Sequence, residues 1–196
     1  QLRRYRKMAS AFARNGLGFV YQEMGLSGHF PFLQSEERKE MKGKRLGERI
    51  RLLLEELGPT FVKLGQLAST RPDLIPSHIL TDLERLQDDV PPFSFQEACK
   101  IIEQELGDSV ENLFMQFSHT PLAAASIGQV YRAVLKDGTA VAVKVQRPHI
   151  RELIETDLDI LNGWARLAES RLEWARNYRL RDIVDELGKA LRAELD

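Results

Sequence analysis

Apolar side chains recur at two different periods along this chain. In residues 46–106, and again from residue 150 to the end, they repeat every three or four positions, which predicts a series of amphipathic helices. Between residues 128 and 146 they alternate with other residues, which predicts strands. The pattern therefore predicts an α+β fold in which a short β-region lies between helical stretches.

The β-region is expected to form an antiparallel hairpin. Its strands are residues 128–135 and 140–146, and the turn between them contains Asp137-Gly138. This dipeptide is favoured in type I′ turns, where both central residues have positive φ, so we expect that turn here. Pro148 should end the second strand, because proline has no N–H to donate to the ladder.

Other local signals mark where elements begin and end. Ser94 with Glu97 three residues later matches a capping box, and Gly107 fits the C-terminal cap of the same helix. The Gly-Pro at residues 58–59 separates two helices. Residues 117–120 are the candidate for the first strand of the sheet.

Lys144 lies in the second hairpin strand between Val143 and Val145. A charged group is costly to bury unless it is paired, so this lysine either reaches solvent or meets a phosphate or a carboxylate. A solvated edge position is the plainer alternative. Residues 123–128 favour the phosphate, because kinase-like folds place a phosphate-binding loop directly before such a strand pair. We therefore expect a buried lysine that binds nucleotide.

The loop before the hairpin reads Ala-Ala-Ala-Ser-Ile-Gly, where a kinase-like fold usually has several glycines. Each alanine carries a Cβ that disfavours positive φ and blocks the closest approach of the backbone. We therefore expect a stiffer loop than its glycine-rich counterpart.

A second candidate site lies on a helix that is predicted to start near Thr60. Lys63 and Gln66 are three residues apart and share one face of it. A solvated polar face is the plainer alternative. Gly65 costs about 1 kcal/mol relative to alanine inside a helix, so we expect something to approach its backbone closely.

These segments resemble the UbiB (AarF-domain) atypical kinase-like family. AAASIGQVYRA and VAVKVQRP are similar to its alanine-rich loop and lysine strand, KLGQ at residues 63–66 to its KxGQ motif, and ELD at residues 194–196 to its ExD motif. The resemblance implies a kinase-like N-lobe, a small antiparallel sheet with helices, at residues 114–196. A mostly helical extension that carries the KxGQ motif precedes it at residues 1–113, and the C-lobe is absent.

The resemblance also implies a set of site residues. In this family the KxGQ helix occludes the cleft for a protein substrate, and its lysine meets the ExD acid, which pairs Lys63 with Glu194. The residues expected to act in catalysis are Lys144, Lys63, Gln66, Glu194 and Asp196. The residues expected to bind nucleotide are Ala123, Ala124, Ala125, Ser126, Gly128, Val130, Ala142 and Lys144. No metal ligand is expected among them.

The implied ligand is ATP or ADP, with Mg²⁺ in the intact protein, and the implied process is ubiquinone or other prenylquinone biosynthesis. ATP hydrolysis, a small-molecule phosphoryl acceptor and nucleotide-gated action on quinone precursors all stay open, and the resemblance favours a membrane-linked ATPase. No HRD-like loop and no DFG-like aspartate occur in the sequence. We therefore expect these residues alone to be inactive, and Gln1 in place of methionine favours an excerpt.

Two alternatives come from other classes of protein. One is a non-catalytic helical and N-lobe module that binds a membrane or a protein partner. The other is an ordinary protein kinase N-lobe, in which Glu186 or Glu194 would pair with Lys144.

Composition narrows the partners and the compartment. The net charge of -1, from 28 basic and 29 acidic residues, gives no field that favours nucleic acid. Cys99 is the only cysteine, so a reducing compartment is expected. No apolar run approaches the roughly 18 residues that span a bilayer. These features predict a cytoplasmic chain.

The first residues carry the only signal for a membrane surface. Residues 2–19 are basic and amphipathic, a pattern shared by helices on anionic lipid and by solvated surface helices. The resemblance favours peripheral contact with the inner face of the cell membrane, with prenylquinone-pathway enzymes as partners. Residues 25–31 are expected to form a turn-rich break, and residues 36–44 a charged, solvated linker or helix face.

Overall fold

The computed structural model describes residues 2–23, 43–86 and 90–196. The break predicted at residues 25–31 and nearly all of the run at 36–44 lie outside these residues. The elements of the described chain, in order, are α1 (Leu2–Arg14), α2 (Gly18–Glu23), α3 (Leu46–Leu57), α4 (Pro59–Ser69), α5 (Ser77–Leu83), α6 (Phe95–Leu106), α7 (Val110–Leu113), β1 (Phe114–Phe117), β2 (Ala123–Ala124), β3 (Gly128–Leu135), β4 (Ala140–Gln146), α8 (Ile150–Arg171), α9 (Glu173–Asn177) and α10 (Leu180–Leu195).

These elements form two compact units. The helical unit consists of residues 1–87 and 152–196, and the sheet unit consists of residues 88–151. The helical unit therefore contains α1 to α5, most of α8, α9 and α10, whereas the sheet unit contains α6, α7 and the four strands. The predicted domain division at residue 113 stays a prediction, but by packing α6 and α7 lie with the sheet.

The break between α3 and α4 is confirmed. Gly58 has a φ of 97°, a conformation that costs glycine little, and Pro59 then occupies the first turn of α4, where a missing N–H is tolerated. The core of the helical unit is made of large apolar side chains from several helices: Leu53, Leu57, Phe61, Ile154, Leu158, Trp164, Leu187 and Leu191.

Arg4 of α1 is almost fully buried in the helical unit. Its guanidinium donates to both carboxylate oxygens of Asp157, at 2.6 and 2.7 Å, and to the carbonyl of Leu57 at 2.7 Å. It also lies 6.0 Å from the ring centroid of Phe61. The Arg4 and Asp157 side chains are 10% and 0% exposed. The Arg4 guanidinium therefore connects α1 to α8 through the ion pair, to the end of α3 through the hydrogen bond, and to the start of α4 through the ring contact.

The apolar side of α1 packs inside the helical unit. Met8 is fully buried, and the rings of Tyr5 and Phe12 contact Trp164 at centroid distances of 6.4 and 5.9 Å. A surface helix with its polar side in solvent accounts for this packing. The predicted contact of residues 2–19 with a membrane stays a prediction. Every helix in the described ranges is too short or too polar to cross a bilayer.

Gly65 of α4 lies where two leucine side chains reach its backbone. A methyl group at this position would lie 2.6 Å from Cδ1 of Leu54 and would also overlap Cδ1 of Leu86. The close approach expected at Gly65 is confirmed, and its partners are core side chains of the same unit.

We expect Gly65→Ala to destabilise the helical unit by up to about 2 kcal/mol. Overpacking costs about 1–3 kcal/mol, and the better helix propensity of alanine offsets about 1 kcal/mol. Urea unfolding followed by tryptophan fluorescence measures the change. Gly163→Ala in α8 is the matched control, because the nearest atom to its new methyl group is Tyr5 Oη at 3.8 Å. Two variants with equal stability would contradict the packing explanation.

Strand β3 is the centre of the sheet, because the other three strands all pair with it antiparallel. Strand β4 follows it for nearly its whole length, and β1 and β2 pair with opposite ends of β3. The two hairpin strands are therefore confirmed with their predicted bounds. The strand predicted at 117–120 is wrong, since β1 ends at Phe117. There, Ser118 Oγ donates to the carbonyl of Thr120 at 2.8 Å and turns the chain.

The turn between β3 and β4 is not the predicted type I′ turn. Gly138 has a φ of 88°, but Asp137 does not have a positive φ. Leu135 accepts from the N–H of Gly138 and donates its own N–H to the carbonyl of Thr139, each at 2.9 Å. The loop is therefore one residue longer, so glycine alone takes the left-handed conformation. Asp137 instead accepts from the N–H of Thr139 at 2.9 Å.

Helix α6 covers one face of the sheet. The capping box between Ser94 and Glu97 is present, and Gly107 ends the helix with a φ of 76°, so both predicted caps are confirmed. The buried residues of this small core come from α6, α7 and the strands: Ala98, Ile102, Val110, Phe114, Tyr131, Ala133 and Val145.

Cys99 packs against this core and gives a test of its integrity. Burial raises the pKa of the thiol, and the nearby carboxylates of Glu103 and Glu111 raise it further. Because the thiolate is the reactive form, Cys99 should react more slowly with a disulfide reagent at pH 8 in the folded protein than in urea. Equal rates in the two conditions would contradict the packed position. The chain has only one cysteine, so the signal is unambiguous.

Candidate functional site

Four of the predicted site residues share one face of the sheet. Val130 lies opposite Lys144 in β4 and opposite Ala123 in β2, and directly opposed residues of antiparallel strands point to the same side. Ala142 precedes Lys144 by two positions and therefore points to that side too. Tyr131 points to the other side, into the core under α6. The site face, as we call it, thus combines small apolar side chains with the ammonium group of Lys144 and the guanidinium of Arg132, which lies opposite Ala142.

Lys144 is exposed, so the expectation of a buried lysine is wrong. The flanking residues Val143 and Val145 point to the core, whereas Lys144 points to the opposite side. Within the described residues β4 pairs only with β3. A hollow of about 470 Å³ is lined mainly by α6 and the core-facing residues of β4, on the side of the sheet away from the site face, and Lys144 is among its residues. The exposure of Lys144 makes its side chain accessible from solvent.

The alanine-rich loop is a short connection between β2 and β3. Ala123 and Ala124 pair with β3, and the N–H of Ala125 donates to the carbonyl of Gly128 at 2.8 Å. Ser126, which follows, is only 4% exposed. The predicted loop residues are therefore held in one compact turn of the sheet unit.

Gly128 is required by the contact between β3 and β4. A methyl group on it would lie 2.5 Å from the carbonyl oxygen of Val145. This oxygen belongs to the backbone and cannot rotate away, so even alanine would force the strands apart. The last glycine of the loop motif thus has a structural reason that is independent of any ligand.

Arg147 and Gln129 hold this region together, and the sequence reasoning missed both. Arg147 has no predicted role beyond its place in the lysine-strand motif, yet its guanidinium donates to the carbonyls of Ser126 and Pro91. Gln129 is 1% exposed and bonds both backbone groups of Phe93. For Gln129 the sequence does carry a signal. It is a polar residue at a position of β3 where the alternation predicts a side chain that points into the core.

In the helical unit, the predicted pair of Lys63 and Glu194 is present. Lys63 Nζ lies 2.8 Å from Glu194 Oε2, and the two side chains are 30% and 33% exposed. The contact joins α4 to α10. Because it remains partly solvated, it contributes at most about 1 kcal/mol to stability.

The other two predicted residues of the helical unit lie on α4 and directly after α10. Gln66 is half-buried on α4, and Asp196 is exposed after the end of α10, where its N–H donates to the carbonyl of Arg192 at 3.1 Å. The structure thus groups the predicted residues into the Lys63–Glu194 pair of the helical unit and the site face with its loop in the sheet unit.

The described residues fit a nucleotide better than they fit Mg²⁺. An exposed lysine beside small apolar side chains suits a phosphate chain and a base. By contrast, residues 2–23, 43–86 and 90–196 contain no group of three His, Cys, Asp or Glu side chains that could hold a metal ion. Binding of a nucleotide at these residues stays a prediction.

Known proteins resemble this chain over most of its length. A family model described as the ABC1 atypical kinase-like domain matches residues 85–196, which is more than half of the chain. A probable protein kinase UbiB from Aliivibrio fischeri strain MJ11 is 47% identical over 154 residues, covering 78% of this chain and 28% of the relative. A probable protein kinase UbiB from Xylella fastidiosa strain M23 is 51% identical over 150 residues, covering 76% and 27%.

The chain thus spans less than a third of the length of these curated relatives. Among solved structures, the complex of Rv3197 and erythromycin from Mycobacterium tuberculosis is 31% identical, with a TM-score of 0.48 over 74% of this chain and 36% of that one. The family match includes the loop, the lysine strand and the ExD residues. The chain therefore belongs to the ABC1 atypical kinase-like family, the family of its UbiB relatives.

Proposed function

We propose that the site face binds ATP or ADP and that the whole protein is a UbiB-type ATPase or atypical kinase of ubiquinone or other prenylquinone biosynthesis. The observation that carries the proposal is the register that aligns Ala123, Val130 and Lys144 on one face. Lys144 contacts the α and β phosphates through charge-assisted hydrogen bonds. Val130 and Ala142 provide the apolar surface for the base. The kinase names of the two UbiB relatives support this assignment.

In this proposal the Lys63–Glu194 pair keeps the KxGQ helix in place. The pair ties α4 to the helix that carries the ExD residues, and Gln66 lies one turn from Lys63 on α4. A fixed KxGQ helix disfavours a protein hydroxyl as acceptor, which leaves water or a small molecule. In this proposal Lys63 and Gln66 act through the KxGQ helix, and Lys144 is the residue that holds the phosphates.

Ligand-induced stabilisation of the full-length protein tests the proposal. ATP and ADP should raise its melting temperature in a concentration-dependent manner, whereas adenosine should do so much less, because the phosphates supply most of the contacts with Lys144. A melting temperature that none of the three ligands changes would contradict nucleotide binding.

Glycine in the alanine-rich loop should change nucleotide preference. Ala124→Gly and Ala125→Gly each add backbone freedom worth about 0.4–1 kcal/mol, so the loop should discriminate less between ATP and ADP, by about two- to fivefold. Isothermal titration of the full-length protein with both nucleotides measures the ratio. Ala140→Gly at the start of β4 is the matched control. Identical ratios in wild type and both loop variants would contradict a role of loop stiffness.

A further inference from the structure

Arg147 bonds three consecutive carbonyl groups of the alanine-rich loop. Its backbone N–H donates to the carbonyl of Ile127 at 2.8 Å. Its Nε donates to the carbonyl of Ser126 at 3.2 Å, and Nη2 reaches that of Ala125 at 3.4 Å. A single residue after the end of β4 therefore determines the direction of three peptide groups.

This arrangement also determines where the loop N–H groups point. A trans peptide is planar, with its N–H directed opposite to its carbonyl, and the described residues contain no cis peptide bond. Because the carbonyls of Ala125, Ser126 and Ile127 are directed at Arg147, the N–H groups of Ser126, Ile127 and Gly128 are directed away from it. Loop N–H groups are the donors with which kinase-like folds approach phosphates.

The guanidinium itself is held from the other side. Nη2 of Arg147 donates to the carbonyl of Pro91 at 3.1 Å, and its Cζ lies 5.5 Å from the ring centroid of Phe93. Gln129 fixes that segment, because its Oε1 accepts from the N–H of Phe93 at 3.2 Å and its Nε2 donates to the carbonyl of Phe93 at 3.1 Å. Arg147 is thus a rigid bridge between residues 91–93 and the loop.

We propose that Arg147 is the positioning residue of the nucleotide site, orienting the loop N–H groups before the phosphates arrive. This inference rests on the proposed nucleotide function of the site face. A glycine-rich loop must order its backbone when the nucleotide binds, whereas a loop whose carbonyls are already bonded has little left to order. The arginine acts through the backbone and needs no contact with the nucleotide.

The test compares Arg147→Met with Gln129→Met in the full-length protein. Both variants loosen residues 91–93, but only the first releases the carbonyls of Ala125 and Ser126, whereas the backbone bond to Ile127 survives in both. Titration at a temperature where both are folded should show ATP affinity reduced about tenfold in Arg147→Met, the cost of ordering roughly one backbone residue, and reduced less than about twofold in Gln129→Met. Arg147→Lys should recover part of the affinity, because lysine keeps the charge but not the planar fork.

Hydrogen exchange gives the readout that does not depend on nucleotide. The amide of Ala125, which donates to the carbonyl of Gly128 at 2.8 Å, should exchange faster in Arg147→Met than in wild type or Gln129→Met, because the loop is no longer held. Equal losses of affinity in the two methionine variants, or an unchanged affinity in Arg147→Met, would overturn the positioning role. If wild type binds no nucleotide, the proposed function fails and the positioning role fails with it, whereas faster exchange in Arg147→Met would still establish the loop contact.

Discussion

Replacing Lys144 with methionine should remove most of the stabilisation that ATP and ADP give to the full-length protein. The strand register places its ammonium group opposite Val130, which in turn lies opposite Ala123. A hydrogen bond to a charged phosphate contributes about 1.5–3 kcal/mol, so the affinity should fall by about 10- to 100-fold. Methionine keeps the length of the side chain, and because Lys144 is exposed the variant should remain folded.

The matched control for this variant is Lys100→Met. Lys100 is also an exposed lysine of the sheet unit, but it lies on α6, on the opposite side of the sheet from the site face. Both variants should unfold at the same temperature without nucleotide. An ATP-induced shift in melting temperature that survives in Lys144→Met would contradict the assigned role, as would an equal loss of the shift in both variants.

Replacing Asp157 with alanine should have the largest effect on stability, a loss of about 3–5 kcal/mol. Removing one partner of a buried ion pair leaves the other charge uncompensated, and the Arg4 side chain is only 10% exposed. The guanidinium is held by Asp157 and by the carbonyl of Leu57, over the ring of Phe61. The loss should appear as a lower midpoint of urea unfolding and as loosening of the KxGQ helix.

Two further variants separate burial from charge. Glu155→Ala removes an ion pair between the same helix α8 and Arg192, but those side chains are 41% and 50% exposed, so the effect should stay within about 1 kcal/mol. The double variant Arg4→Met/Asp157→Leu should recover most of the stability, because apolar groups of similar size replace both charges. Equal effects of Asp157→Ala and Glu155→Ala would contradict the importance of burial.

The sequence predicted the hairpin well because its evidence is local. Alternation fixes which residues share a face, so the bounds of β3 and β4 and the side occupied by Val130 follow from period alone. The turn was predicted less well, because an Asp-Gly pair fits a loop of two residues and also one of three. Only the pairing of Leu135 with Thr139 distinguishes the two loops.

Burial and distant contacts were beyond the reach of the pattern. Alternation shows that Lys144 opposes its valine neighbours, but it does not show which face another element covers. The bond from Arg147 to Pro91 joins residues 56 positions apart, and no periodicity reports such a contact. The Lys63–Glu194 pair, 131 positions apart, was predicted only through the family resemblance.

An ATP acyl phosphate is the sharpest probe of the site face. The amine of a lysine beside bound phosphates attacks the acyl carbon, forms an amide and releases ATP. In the full-length protein, mass spectrometry should therefore find Lys144 acylated. Excess ATP should suppress the acylation of Lys144 and leave the acylation of Lys100 unchanged. If Lys144 stays unlabelled, or its label resists excess ATP, the site face does not hold the phosphates.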